Sequence, residues 1–351
     1  MLNRSIFAAL LALLSLAIPA FASAAPAHDG AVVYSRVSNE GAVAKGGLFA
    51  AKDGHLNQLT ENPADSQPAF SPDGRTIAFA RGGDVYSVRA DGSGERVLSS
   101  GPAIDGRPVF SPNGRIVVFE RRASEAAPRD LYTVGAGGGT PHQLTSGPAD
   151  DHEAAISDDG CTIAFVRSVA LTGGGTADDV YSIRPAGIRL RRLTHTPGLD
   201  EFAPHFFGDE NVVFSRGQSG EGPDAYADVY TMRENGTHVT PLVHGAGSAF
   251  VEDVAAGRTL LFRRDQGLWV KRIGPGRAHK LSELPDGSKT NAVFSADGRS
   301  VAAFIASEES ESLSAIDVAS RRRTDLAEGF DFSGEGAGTT IGPVIAWQPL
   351  R

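Results

Sequence analysis

Apolar and polar residues alternate in short runs along nearly the whole chain, and the runs are broken by glycine, proline, aspartate and asparagine. A period of two bounded by turn formers predicts β-strands, and no long stretch of helical spacing appears after the first two dozen residues. The runs also recur as a set. The clearest copy is Gln67-Pro68-Ala69-Phe70-Ser71-Pro72-Asp73-Gly74-Arg75-Thr76-Ile77-Ala78-Phe79, followed by Asp84-Val85-Tyr86.

Aligning the copies on the turn after the first run gives Ser71 to Gly74, Ser111 to Gly114, Ser157 to Gly160, Phe207 to Glu210, a shortened Ala255-Ala256-Gly257, and Ser295 to Gly298. Asp-Gly and Asn-Gly pairs between β-rich runs predict tight primed hairpin turns. A second strand follows at Thr76 to Ala80, Ile116 to Phe119, Thr162 to Val166, Asn211 to Phe214, Thr259 to Phe262 and Ser300 to Ile305. A third carries Asp84-Val85-Tyr86 and its counterparts at Asp130, Asp179 and Asp228, and a short fourth ends on leucine, as in Gln143-Leu144-Thr145. Four antiparallel strands repeating at this spacing make one blade of a β-propeller.

The segment from Ala31 to Glu61 holds strands two, three and four but no first strand, and Ala346-Trp347-Gln348-Pro349 near the other end aligns with Ala69 to Pro72. The fold class expected is therefore all-β: a seven-bladed propeller of four-stranded blades, closed by pairing of the N- and C-terminal strands. Six blades is the alternative, should the weak copy at Phe250 to Leu284 merge with a neighbour. The 42 glycines and 20 prolines suit a chain so rich in turns.

Residues 1 to 24 read differently. Arg4, an apolar run from Ile6 to Ile18 and the small-residue site Ala22-Ser23-Ala24 predict a signal peptide cleaved before Ala25, leaving 25–351 as a single propeller domain in the periplasm or outside the cell. The apolar run is shorter than a bilayer span, so no membrane insertion is expected. The chain carries 33 Lys and Arg against 42 Asp and Glu, a net charge of −9, which argues against nucleic acid as a partner. Cys161, the one cysteine, stands where other copies have arginine and reads as a strand residue.

The repeats resemble those of the TolB-type propellers, whose blades read Asp-x-x-Pro-Ala-Trp/Phe-Ser-Pro-Asp-Gly and later Asp-Ile/Val-Tyr and Leu-Thr. Residues 65 to 74 fit position by position, and 105 to 114 nearly so. The resemblance covers nearly the whole mature chain and implies a periplasmic propeller, here without the separate N-terminal α/β domain of TolB. The same repeat is found in interaction proteins, in the propeller domains of prolyl-oligopeptidase-like peptidases and in some propeller lyases.

Loops between strands two and three share a face with the connections between blades, opposite the Asp-Gly turns. On that face the position opening each blade is Asp65, Asp105, Asp151 and Glu201 in four successive copies. These residues form an expected acidic arc at the channel mouth, read either as a ligand site or as strand-opening carboxylates held by backbone or arginine. Arg107, His152, Glu153 and His205 join them as candidate ligand-binding residues, overhung by long loops at Arg122 to Arg129, Ser168 to Asp178 and Gly217 to Ala227. No cofactor is expected, although His152, Glu153, Glu201 and His205 offer nitrogen and oxygen ligands suited to a divalent metal.

No catalytic residues are assigned, because no Gly-x-Ser-x-Gly segment lies between a strand and a helix. The expected function is a non-enzymatic, monomeric binding module of the cell envelope that engages a protein or peptide segment, with a basic one favoured by the arc. The alternative is a metal-assisted lyase or hydrolase acting on a polysaccharide.

Overall fold

A computed structural model describes residues 30–38, 45–171, 175–208, 210–218, 226–245, 247–255, 257–286, 288–307, 311–327 and 345–349. The leader expected over 1–24 lies outside the described residues. Seven four-stranded antiparallel sheets stand in a ring.

Blade 1 contains β1 (Val32–Ser38), β2 (Lys45–Lys52), β3 (His55–Gln58) and, from the other end of the chain, β28 (Ile345–Trp347). Blade 2 is β4 (Asp65–Phe70), β5 (Thr76–Arg81), β6 (Asp84–Arg89) and β7 (Arg96–Ser99). Blade 3 is β8 (Ile104–Phe110), β9 (Ile116–Arg122), β10 (Asp130–Gly135) and β11 (His142–Gln143). Blade 4 is β12 (Asp150–Ile156), β13 (Ile163–Ala170), β14 (Thr176–Ile183) and β15 (Arg191–Arg192). Blade 5 is β16 (Asp200–Phe206), β17 (Asn211–Gln218), β18 (Tyr226–Arg233) and β19 (Thr240–Val243). Blade 6 is β20 (Ala249–Ala255), β21 (Thr259–Arg264), β22 (Gly267–Arg272) and β23 (His279–Glu283). Blade 7 is β24 (Lys289–Phe294), β25 (Ser300–Ala306), β26 (Glu311–Asp317) and β27 (Arg323–Ala327). The weak copy is thus a full blade, and the six-bladed alternative falls.

The ring closes in the expected register: Val32 pairs with Trp347, Val33 with Ala346 and Tyr34 with Ile345. Ile345 N–H donates to the Asn291 side chain of blade 7 at 3.1 Å, and the Gln348 amide donates to the Gly74 carbonyl of blade 2 at 2.7 Å. The C-terminal strand with Gln348 therefore completes blade 1 and joins it to both its neighbours.

Apolar faces of neighbouring blades make the core. Val33, Leu48 and Leu59 of blade 1 pack on Ile77, Phe79 and Val88 of blade 2, and the pattern recurs between every successive pair. The second strands bury side chains on both faces, which is why they read as nearly continuous apolar runs, whereas the outer β3, β11 and β15 are exposed.

The turns differ from expectation in type. Gly74 N–H donates to the Ser71 carbonyl at 2.8 Å, and only the glycine of the Asp-Gly pair has positive φ, at 68°. This is a type I turn with proline second and glycine fourth, not a primed turn. Asp73 accepts from the Ser71 hydroxyl at 2.6 Å and from Arg75 N–H at 3.1 Å, which explains why Ser and Asp recur. In blade 6 the turn is not shortened: Arg258 N–H donates to the Ala255 carbonyl at 2.9 Å, and Arg258 takes the glycine's place at φ 59°.

Candidate functional site

The four carboxylates of the expected arc are buried, each in an ion pair with an arginine at the end of its own blade's second strand. Asp65 meets Arg81 at 2.5 Å, Asp105 meets Arg121 at 2.6 Å, Asp151 meets Arg167 at 2.6 Å and Glu201 meets Arg216 at 2.7 Å. A hydroxyl at or just after the end of the preceding blade's fourth strand completes three of them: Thr60 donates to Asp65, Ser99 to Asp105 at 2.8 Å and Thr194 to Glu201 at 3.0 Å. Thr194 also accepts Val180 N–H at 2.8 Å, so the Leu-Thr ending ties one blade's third strand to the next blade's opening. The arginine carbons lie over two stacked rings, Arg121 at 4.7 Å from the Tyr132 centroid and 5.4 Å from Phe119. The arc is therefore a set of inter-blade latches, closed to a ligand. Burial nonetheless pushes the Glu201 carboxyl above its ordinary value.

Two or three residues into the first strands of blades 2 to 5 the ladder is interrupted. Bulges fall between Ser66 and Ala69, Gly106 and Val109, His152 and Ala155, and Phe202 and His205. Gln67, Arg107, Glu153 and Ala203 sit there at φ 54°, 48°, 54° and 51°. A left-handed non-glycine residue costs about 1–2 kcal/mol, and here the freed backbone is caught by the neighbouring blade. Arg107 N–H donates to the Gln67 side chain at 2.7 Å, Glu153 N–H to Glu120 at 2.9 Å, and Ala203 N–H to Glu153 at 2.8 Å. The bulges of blades 3 to 5 bring Arg107, Glu153 and Ala203 to the central channel, a cavity of about 520 Å³ walled by first strands of blades 3 to 7, while Gln67 walls a neighbouring cleft.

Of the candidate residues, Arg107, Glu153 and His205 line this channel. His205 Nδ1 lies 3.1 Å from the Ala203 carbonyl. His152 turns instead to the Ser168 hydroxyl at 3.2 Å, with its Nδ1 3.9 Å from Glu153. Glu201 is buried against Arg216, and among the described residues no group of three or more His, Cys, Asp and Glu is placed to hold a metal ion. Glu252, not singled out in the sequence, also walls the channel, and burial pushes its carboxyl up to about 7 against the pull of Arg263, 3.7 Å away.

The overhanging segments are of two kinds. In blade 3 residues 123–129 are a loop from which Arg129 reaches blade 4, meeting Asp150 at 2.6 Å. In blades 4 and 5 the expected loops are partly strand: Val169 pairs with Ala177, Ala170 with Thr176, Gly217 with Ala227 and Gln218 with Tyr226. The hairpins are longer than expected and leave Val169, Leu171 and Tyr226 exposed. Beside them the Asp178 Oδ1 is buried without a hydrogen-bond partner among the described residues, and burial raises the Asp178 carboxyl above its ordinary value.

No family model matches the chain, and no curated protein does. Solved structures do. TolB from Acinetobacter baumannii is 14% identical with a TM-score of 0.56, over 90% of this chain and 82% of that one. The fold is that of the TolB-type propellers. An oligogalacturonate lyase in complex with manganese is 14% identical with a TM-score of 0.62, over 85% of this chain and 86% of that one. A puromycin-hydrolyzing peptidase from Mycobacterium tuberculosis is 15% identical with a TM-score of 0.62, over 84% of this chain and 53% of that one. The TolB-type propeller thus spans about half the length of the peptidase. At such identities the likeness is one of fold, and the same scaffold carries different chemistries.

Proposed function

We propose that the protein is a non-enzymatic binding module of the cell envelope, which holds a protein or peptide segment at the channel mouth on the face bearing the long hairpins. The observation that carries this reading is a contrast between repeated positions of one chain. Positions with a scaffold duty keep their chemistry from blade to blade: Asp or Glu opens blades 2 to 5, and Arg81, Arg121, Arg167 and Arg216 answer it. The channel-facing position does not. It is Arg107, Glu153 and Ala203 in blades 3 to 5, on a common left-handed backbone, and Val251 and Asn291 without that backbone in blades 6 and 7, with dissimilar side chains throughout. A rigid ring presenting varied groups to an open cavity suits recognition of one particular segment.

A basic residue in that segment finds less support than the acidic arc suggested, because the arginines neutralise the arc. Asp178, beside the long hairpin of blade 4, is the remaining match for a basic group. Export to the envelope rests on the leader-like residues 1 to 24.

Capture from envelope extract tests the face. Ala203→Trp, filling the channel wall, is expected to abolish capture of the segment with an unchanged melting temperature, whereas Arg299→Glu in the opposite-face turn leaves capture intact. Equal capture by both variants contradicts the proposal.

A further inference from the structure

On the loop-bearing face, the Gly82-Gly83 loop of blade 2 and the 123–129 loop of blade 3 bound a cleft of about 430 Å³, with Ser66, Gln67, Arg107, Glu120 and Arg122 in its wall. Every carboxylate oxygen of Asp105 and Glu120 in that wall is spent. Asp105 accepts from Arg121 at 2.6 and 2.8 Å and from Ser99 at 2.8 Å. Glu120 accepts Glu153 N–H at 2.9 Å on one oxygen and Arg129 at 3.2 Å on the other.

The donors are not spent. The Arg107 side chain is 50% exposed and its nearest carboxylate oxygen, on Glu120, is 4.0 Å away, beyond hydrogen-bond reach. Its guanidinium makes no hydrogen bond to the described residues, and its backbone N–H is already held by the Gln67 side-chain Oε1, which leaves the Gln67 Nε2 as a second donor. Arg122 is held by exposed Glu125, through its carboxylate and its backbone carbonyl at 3.1 Å, contacts that water and ligands exchange readily. Spent acceptors beside unspent donors select an anion. The planar fork of an arginine matches a carboxylate through two parallel hydrogen bonds, and the buried Glu120 charge nearby disfavours a doubly charged phosphate.

We propose that this cleft is a carboxylate-binding subsite anchored by Arg107. Because Arg107 walls both the cleft and the channel, the subsite takes an acidic side chain or chain end of the segment held in the channel, and in that sense it rests on the binding reading above.

Titration of the mature protein with capped tripeptides tests it, using acetyl-Ala-Glu-Ala-amide, its Gln counterpart, and acetyl-Ala-Ala-Ala with a free or an amidated end. At least one carboxylate-bearing peptide is expected to bind about tenfold tighter than its neutral counterpart, which one identifying side chain or chain end as the source. Arg107→Ala is expected to erase that preference at an unchanged melting temperature, and Arg107→Lys to restore part of it. Arg107→Gln replaces Arg107→Ala if the latter fails to fold. Equal binding of charged and neutral peptides, or a preference that survives loss of Arg107, overturns the subsite. Capture blocked by Ala203→Trp but indifferent to Arg107→Ala removes the subsite and leaves the binding role. An Arg107-dependent carboxylate preference without any captured segment does the reverse.

Discussion

At the residue scale, burial decides what each charge does. Burial in the channel wall raises the Glu252 carboxyl from 4.5 to about 7. A raised folded value means that the folded protein binds the extra proton, so the stability this group contributes is complete below pH 4.5 and is lost as pH rises through about 7. Glu252→Gln should therefore melt increasingly above the wild type across that window, by on the order of 3 kcal/mol at its upper end, and converge with it near pH 4.5; a constant offset would contradict the assignment. The latches obey the opposite logic. Removing one charge of a buried pair strands the other, so Asp105→Asn should cost about 3 kcal/mol by denaturant unfolding, while Asp105→Asn with Arg121→Met should recover part of the loss. Equal losses for the single and double variants would show that the pair is not coupled.

At the element scale, ring closure can be isolated by comparing two equivalent turns. Gly74 and Gly114 both have positive φ, at 68° and 67°, but a Cβ at Gly74 would meet the Pro349 carbonyl at 2.4 Å, whereas one at Gly114 would meet only Pro72 at 3.6 Å. Gly114→Ala should lose about 1 kcal/mol from backbone strain, and Gly74→Ala at least about 1 kcal/mol more by thermal unfolding. Equal losses would mean that the C-terminal segment does not rest on blade 2. Most of the strand pattern was legible, because type I turns and alternating runs leave local signatures in every copy. The latches were half legible. Carboxylates opened four blades in plain view, and those blades carry Phe-x-Arg at Phe79, Phe119, Phe165 and Phe214, but blade 6 keeps Phe262-x-Arg264 opposite Ala249, so the motif alone does not name the partner. The bulges were not legible, since Gln67, Arg107, Glu153 and Ala203 are not residues that announce a left-handed backbone; cross-blade hydrogen bonds impose it.

At the scale of the whole molecule, repetition builds the ring and departure from repetition marks where it recognises something. Positions kept from blade to blade are latches, turns and inter-blade core, and they position a channel whose wall changes from one blade to the next. Trp347, buried in the layer between blades 7 and 1, carries much of the closure, and Trp347→Ala should cost about 3–5 kcal/mol by denaturant unfolding and lower cooperativity. An unchanged, fully cooperative transition would show closure to lie elsewhere. The division of labour between kept and varied positions is tested most directly by measuring, for one captured segment, affinity and melting temperature in Asp151→Asn and Ala203→Trp side by side. The latch variant should melt lower and bind as the wild type does, and the channel variant should melt as the wild type does and fail to bind. The reverse pairing, with affinity lost at Asp151 and kept at Ala203, would contradict it.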